Sequence, residues 1–424
     1  MKLSLLLVDF GPVRRSPEFR RLWLGTGLSA IGSQMTVFAV VLQVYLITGD
    51  SLAVGAVGLC VAVPSLLFGL LGGTIADAFD RRALVLATTG LLAVVSIGFA
   101  IQAFAGLDRP WLLYVLVALQ SLLGAVGVPA RRTLLPRLLP RDQVAAGVSL
   151  TLFSMHVSQV AGPALAGAVA TAWGVKACYA IDAVSFAAAL YGVARLPPVP
   201  PEGSLPQPGL RAIGEALRFI RRQRILTAAF LTDLSITVLG VPTALFPAIN
   251  AAYFGGDART LGLLTSATAV GGLVGTAFSG PVARLANQGR ATVVAAAGWG
   301  IAVACFGLAR HLWLALPLLV LAGACDVTSV TLCQTIVQTV TPDHLRGRVI
   351  AAEHVVSMGG PQLGNFRAGA ISALTSPAVA AVAGGLASIA GAVLVALAVP
   401  AFARYGPRGD PDDALGPAAA GTGR

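Results

Sequence analysis

Charge is scarce in this chain. Asp, Glu, Lys and Arg make up 11% of its 424 residues, against about 25% in soluble domains. Mean hydropathy is +0.82. That is more apolar surface than a soluble core can hide, so lipid has to be the solvent for most of the chain. Metal-binding patterns are missing as well. The four histidines and five cysteines do not cluster and no CxxC occurs. Cys60, Cys178, Cys305, Cys325 and Cys333 all lie in apolar runs and read as small packing residues. No GxxxxGK[ST] loop is present, which argues against ATP drive within this chain. The apolar runs do not alternate with polar residues, which excludes a β-barrel. The start, MKLSLLLVDFGPVRRSPEFRRLW, has too short an apolar stretch for a secretory signal and no small-residue cleavage site. It reads as an amphipathic lead-in to a first span. No cofactor or metal is expected.

What is abundant is the continuous apolar run of about 20 residues, the length that crosses a bilayer as a helix. Twelve runs predict twelve helices, at 22–48, 52–77, 83–105, 111–130, 143–171, 175–195, 225–251, 259–284, 291–309, 312–340, 348–373 and 377–403. The expected fold is all-α integral membrane, with the twelve transmembrane helices arranged as two six-helix bundles. Residues 1–195 would form the first bundle, 196–224 a central loop, 225–405 the second bundle and 406–424 a disordered tail. The central loop contains LPPVPPEGSLPQPGL, a Pro-rich linker, followed by RAIGEALRFIRRQR, an amphipathic surface helix.

With an even number of spans both termini lie on one side. Placing that side in the cytoplasm puts 24 Lys and Arg on cytoplasmic segments and 4 on the opposite loops, with Arg367 left inside a span. Such asymmetry predicts a multi-pass protein of the cell membrane with both termini cytoplasmic. It also accounts for the formal net charge of +11 without a nucleic-acid partner.

The two halves share a pattern. At an offset of 202 residues, TLLPRLLPRDQ (133–143) falls on TIVQTVTPDHL (335–345), Pro140 on Pro342, Gly162 on Gly364 and Gly167 on Gly369. A duplicated six-helix unit is a transporter plan, with the site near the midplane of the repeats.

One turn carries more charge than topology requires. GGTIADAFDRR (72–82) ends the second span with Asp77, Asp80, Arg81 and Arg82. Gly73 permits close helix approach. Asp77 and Arg81 stand four apart and can pair if the helix persists, and a carboxylate here also suits a neighbouring helix N-terminus. Gly73, Asp77, Arg81 and Arg82 therefore form a candidate conformational latch, beside the plainer reading of a positive-inside turn. In GPALAG (162–167), Gly162 and Gly167 permit tight packing and Pro163 bends the helix. That suits a gate, or ordinary small-residue packing.

These motifs resemble the major facilitator superfamily. GGTIADAFDRR is similar to its signature loop between helices two and three, with Gly73, Asp77, Arg81 and Arg82 matching and Ala78 and Asp80 departing. The second-half copy, GPVARLANQGR (280–290), is degraded, with Arg284 in place of the Asp. PARRTLLPRLLPRDQVAAGVSL (129–150), GPALAG and QTVTPDHLRGRV (338–349) resemble the enterobactin-exporter and macrolide-efflux branch. GPALAG also resembles the superfamily's antiporter motif. The resemblance implies a proton-driven exporter of siderophores or drug-like natural products, working as a monomer. Two departures weaken proton coupling. Gln120, four residues before Gly124, stands where many antiporters have Arg. QLGNFRAG (362–369) holds Gln362, Asn365 and Arg367 where the branch often has acids.

Ionisable groups inside spans are costly, and each is a functional candidate. Asp182, Asp233, Asp326, Glu353 and Arg367 are the candidates for proton or substrate coupling, with Asp233 and Asp326 first, each weighed against a structural role. Glu353 can instead pair with Arg346 or Arg348 at the inner loop. Gln34, Gln43, Asn250, Gln334 and Gln338 are candidate polar groups of an otherwise apolar cavity, which suits an amphipathic organic substrate. The leading expectation is a secondary active exporter of a small amphipathic molecule by proton antiport and alternating access. The partners are that substrate and the lipid bilayer. The alternatives are an uncoupled facilitator or importer, and a non-transporting membrane sensor or scaffold.

Overall fold

Each apolar run becomes a long helix. A computed structural model describes residues 9–78, 80–196 and 210–406, without the side chains of 69–78, 132, 133, 136, 210–213, 216, 283 and 344. The first residues of the lead-in, the Pro-rich linker and all but the start of the expected tail lie outside the described residues. The long helices are α1 (Pro17–Thr48), α2 (Ser51–Ala78), α3 (Arg81–Phe104), α4 (Pro110–Leu138), α5 (Val144–Trp173), α6 (Val175–Ala194), α7 (Arg224–Tyr253, in pieces), α8 (Ala258–Ala277), α9 (Gln288–Leu308), α10 (Leu312–Val340), α11 (Asp343–Leu374) and α12 (Pro377–Ala398). No strand occurs among the described residues. Eleven of these helices are long and apolar enough to cross a membrane. The exception is α11, whose ionisable residues include Glu353 and Arg367.

Local chemistry sets the helix ends. Ser16 caps α1 by accepting from the Phe19 N–H, and Gly49 closes it in the left-handed region at φ 64°, where a side chain would be strained. Asp80 caps α3 by accepting from the Ala83 N–H at 2.8 Å. The arginine-rich turn after the fourth span proves shorter than expected. α4 continues to Leu138, so Arg131 is a helical residue, and its Nη2 donates to Thr89 Oγ1 of α3 at 3.2 Å.

The seventh span is not one helix. It runs as α-helix over Arg224–Leu234 and as π-helix over Ser235–Gly240, then breaks at Val241–Pro242. A 3₁₀ turn, Thr243–Leu245, leads into a last piece, Phe246–Tyr253. Pro242 has no N–H to continue the ladder, and a Cβ on Gly240 would collide with the Trp299 indole nitrogen. Asn365 of α11 pins the break. Its Oδ1 accepts from Thr243 Oγ1 and from the Ala244 N–H.

The chain divides into two compact units. One comprises Met1–Gly49, Leu59–Gln207 and Gly255–Ser266; the other comprises Asp50–Gly58, Pro208–Phe254 and Ala267–Arg424. The first turns of α2 thus belong with the second unit, and those of α8 with the first. In the first unit α1 packs on α5 and α6, and α3 on α4 and α6. Leu22, Val85, Leu134 and Val193 fill part of its core. In the second unit α9 packs on α10 and α12, around Ile236, Trp299, Val303 and Ala392. A linker helix, Leu210–Arg222, lies on this unit through Phe219 and Ile220.

The repeat is visible in backbone detail. Pro140 (φ −56°, ψ 152°) and Pro342 (φ −59°, ψ 149°) make the same turn. Gly162 of α5 lies against Gln34 and Ile31 of α1, and Gly364 of α11 against Thr237 of α7. A Cβ on Gly167 would come within 2.7 Å of the Ala258 carbonyl oxygen at the head of α8, and Gly369 meets the Ser51 carbonyl at the head of α2 in the same way. These backbones approach as only small residues allow.

Candidate functional site

Three helices of the second unit line one cleft, and two of them bring an acid to it. In α7, Phe230 and Asp233 share a face; in α10, Val330, Cys333 and Val337; in α11, Glu353 and Ser357. Spacings of three, four and seven put each set on one side of its helix. The cleft is narrow, with about 10 Å³ of room, roughly one water. Asp233 sits just before the π-helical segment and is 8% exposed. Its backbone carbonyl accepts from Thr237 Oγ1 at 2.9 Å, which bends the helix there. Its carboxylate has no hydrogen-bond or ion-pair partner among the described residues. Glu353 is half-buried and accepts from the Gln334 side chain. Asp326, on α10, lies within electrostatic reach of Asp233.

No basic side chain lines this cleft. The pairing of Glu353 with Arg346 or Arg348, open from the sequence, is not found, because both arginines are engaged elsewhere. Arg346 pairs with Asp343 at 2.7 Å, and Arg348 binds Glu215 of the linker helix. Arg367 lies farther along α11, with its guanidinium against Gly384 and no partner for Nε among the described residues. Two carboxylates lining one cleft disfavour each other's charge where no cation stands between them. The arrangement can therefore take up and release a proton or another positive group.

The other candidates fall elsewhere. Asp182 of α6 is fully buried in the first unit. Its carboxylate accepts from Thr36 Oγ1 (2.8 Å), Ser96 Oγ (2.7 Å) and Ser33 Oγ (3.4 Å). Gln43, expected in a cavity, is closed off. Its amide and that of Gln102 exchange hydrogen bonds of 3.2 and 3.0 Å, and Tyr179 Oη donates to the Gln43 oxygen at 2.8 Å. Every strong group there is used internally, so Gln43 joins helices rather than facing substrate. Asn250 is buried on the last piece of α7. Gln34 is half-buried, while Gln334 and Gln338 are exposed one turn apart on α10.

Of the latch residues, Gly73 and Asp77 lie outside the residues whose side chains are described. Arg82 Nη2 donates to the Ala194 carbonyl at 2.8 Å, tying the start of α3 to the end of α6, and Arg81 is half-buried. Gly162, Pro163 and Gly167 all lie on α5, where the Pro163 carbonyl is 2.5 Å from where a Cβ on Gly262 would stand. Sequence reasoning took Cys333 for a packing residue, whereas it lines the acid cleft, and it named Asn365 without its role at the α7 break. Pro242 after Gly240 in an apolar run was the available signal for that break.

Comparison with known proteins agrees with this architecture. A family model described as transmembrane secretion effector matches residues 8–406. The enterobactin exporter EntS of Citrobacter koseri is 26% identical over 402 residues, covering 94% of this chain and 96% of that protein. EntS of Escherichia coli is 25% identical with the same coverage. Among solved structures, the nucleoside transporter NupG superposes with a TM-score of 0.70 at 13% identity, covering 92% of this chain and 99% of that one. A bacterial homologue of the iron transporter ferroportin, in an inward-facing state, gives 0.66 at 18% identity, covering 92% and 99%. These structural likenesses speak for the fold alone.

Proposed function

This chain belongs to the transmembrane secretion effector family of the major facilitator superfamily, a multi-pass membrane transporter and not an enzyme, and from that premise we propose that it exports a small amphipathic organic molecule by proton antiport. Siderophores, macrolides and other drug-like natural products are the substrate class, and the enterobactin exporters among its relatives support the siderophore end of that range. The protein sits in the cell membrane with both termini cytoplasmic, as its arginine distribution favours. Residues 1–195 and 225–405 act as the two bundles of an alternating-access carrier, with the Asp77 turn as the latch between states.

The observation that carries the coupling is the pair Asp233 and Glu353 in one cleft without a cation. Proton binding there neutralises the pair, and substrate binding and proton release alternate as access changes sides. Asp326, within reach of Asp233, tunes that exchange. The test is efflux of siderophores, macrolides and fluorescent dyes from a host stripped of its own pumps, with and without a protonophore. Protonophore-sensitive efflux that disappears in Asp233→Asn and Glu353→Gln supports the reading. An uncoupled facilitator or importer is the second reading, favoured by Gln120 where antiporters carry Arg, and it requires transport indifferent to the protonophore.

A further inference from the structure

The linker helix, Leu210–Arg222, turns a basic face outward beside the head of α7. We propose that this face, through Arg218, Arg221, Arg222 and Arg224, binds the phosphate groups of anionic phospholipids in the leaflet that α7 enters. The contact concerns the membrane rather than the cargo, and it holds whichever way transport runs.

The helix is fixed in place by its opposite side. Phe219 and Ile220 pack among Leu226 of α7, Val337 of α10 and Val349 of α11, with Ile220 buried, and Glu215 binds Arg348 of α11. Only Gln223 separates the linker helix from α7. Its N–H donates to the Phe219 carbonyl at 3.1 Å, and Thr227 Oγ1 reaches back from α7 to the Ile220 carbonyl at 2.7 Å. Ile225 and Leu226 are buried and begin the apolar run of the span. Arg224 immediately precedes that run, and Arg221 and Arg222 stand at the corner just ahead of it. A headgroup region is roughly 5–8 Å deep on each side of the hydrocarbon, so the corner falls within it.

The outward side has charge without compensation. Arg218, Arg221, Arg222 and Arg224 are exposed and make no ion pair or hydrogen bond among the described residues. Arg218 stands three residues from Arg221 and four from Arg222, so three guanidinium groups share one patch, and like charges at that spacing weaken a helix. The one acid in the helix sequence, Glu215, is engaged with Arg348. Leu217, one turn before Arg221, is 50% exposed. An anionic phospholipid answers both features. Its phosphate oxygens accept from the guanidinium forks and relieve their repulsion, and its acyl chains cover the leucine. A soluble anion would satisfy the arginines and leave Leu217 in water. A zwitterionic lipid would cover Leu217 but bring its own cation to the arginines.

The experiment is native mass spectrometry of the full-length protein in detergent, titrated with dioleoyl phosphatidylglycerol, dioleoyl phosphatidylcholine or glycerol 3-phosphate. Each basic residue near an anionic surface contributes about a fivefold gain in affinity. Phosphatidylglycerol should therefore bind about tenfold or more tighter than phosphatidylcholine. Arg218→Gln, Arg221→Gln and Arg222→Gln combined should erase most of that preference, and Arg→Lys at the same three positions should keep most of it. Arg14→Gln, Arg15→Gln and Arg20→Gln combined make the same change of charge on exposed residues of the lead-in and should leave the tightest site intact. Equal binding of the two lipids by the unmodified protein overturns the proposal. So does a preference that survives in the linker-helix Gln variant, or one lost equally in the lead-in variant. Glycerol 3-phosphate binding as tightly as phosphatidylglycerol would overturn it as well, and assign the patch to a soluble anion.

Discussion

Asp182 and Asp233 are both buried aspartates in apolar helices, and their surroundings could hardly differ more. Asp182 is met by three hydroxyls from two neighbouring helices. Asp233 is met by another acid across a cleft, with no donor on its carboxylate. A carboxyl group held by hydroxyl donors fixes the helices around it. One without donors, beside a like charge, has to change its charge when its surroundings change. The first arrangement builds the unit and the second can work it. The difference follows the repeat as well: at the same 202-residue offset, the position equivalent to Asp182 is Gly384, and that equivalent to Asp326 is Gly124. Pro140, Gly162 and Gly167 have counterparts of the same type in the second half, and these two acids do not.

The sharpest way to break this contrast is stability. Asp182→Ala removes the acceptor of two buried hydroxyls and a half-buried one, and each buried donor left unsatisfied costs about 1–3 kcal/mol. Thermal unfolding in detergent should show Asp182→Ala destabilised by roughly 4 kcal/mol or failing to insert, with Asp233→Asn within about 1 kcal/mol of the parent. Equal stability of the two variants would end the distinction. Transport should invert the order. Asp233→Asn and Glu353→Gln should each lower proton-driven accumulation by about tenfold or more, in line with coupling energies of 1–3 kcal/mol, measured as gradient-dependent efflux in everted vesicles.

Much of this was legible from residue order, for a physical reason. Lipid imposes length and apolarity on every span, so helix positions follow from composition, and α10 begins and ends where the apolar run does. Asp233 and Asp326 were legible because any acid in such a run stands out. Their partners were not. That Gln43 and Gln102 bind each other across 59 positions, or that Arg348 chooses Glu215 over Glu353, depends on which helix faces lean together. Apolar runs of similar length do not encode that. The same limit hid the α7 break, since hydropathy does not register a missing N–H.

The repeat offers a smaller test of the same comparison. Gly167→Val and Gly369→Val place a side chain at equivalent close approaches, against the heads of α8 and α2. Overpacking there should destabilise by about 1–3 kcal/mol, by similar amounts in both halves. A large inequality in their melting temperatures would show that the two approaches are not equivalent. The smallest effect belongs to Asp257, exposed at the head of α8. Thr171 Oγ1 donates to it at 2.7 Å, and the Arg259 N–H donates at 3.2 Å. These bonds, the threonine's first, hold its carboxyl below the usual carboxylate range. A depressed acid contributes stability that is complete above its unfolded value and is lost as pH falls through its folded one. The melting temperature of Asp257→Asn should therefore trail the parent slightly at neutral pH and converge with it only on strong acidification.

Trp299 gives the molecule an optical reporter of its own. Of the five tryptophans, Trp111, Trp173 and Trp313 are exposed, Trp23 is half-buried, and Trp299 is buried, with its indole nitrogen against Gly240 at the edge of the α7 break. No hydrogen bond satisfies that nitrogen among the described residues. Its emission therefore reads the dryness of one point in the fold. With Trp23, Trp111, Trp173 and Trp313 replaced by Phe, the remaining emission would come from Trp299 alone, and any rearrangement that admits a water molecule beside Gly240 would shift it to the red without a label.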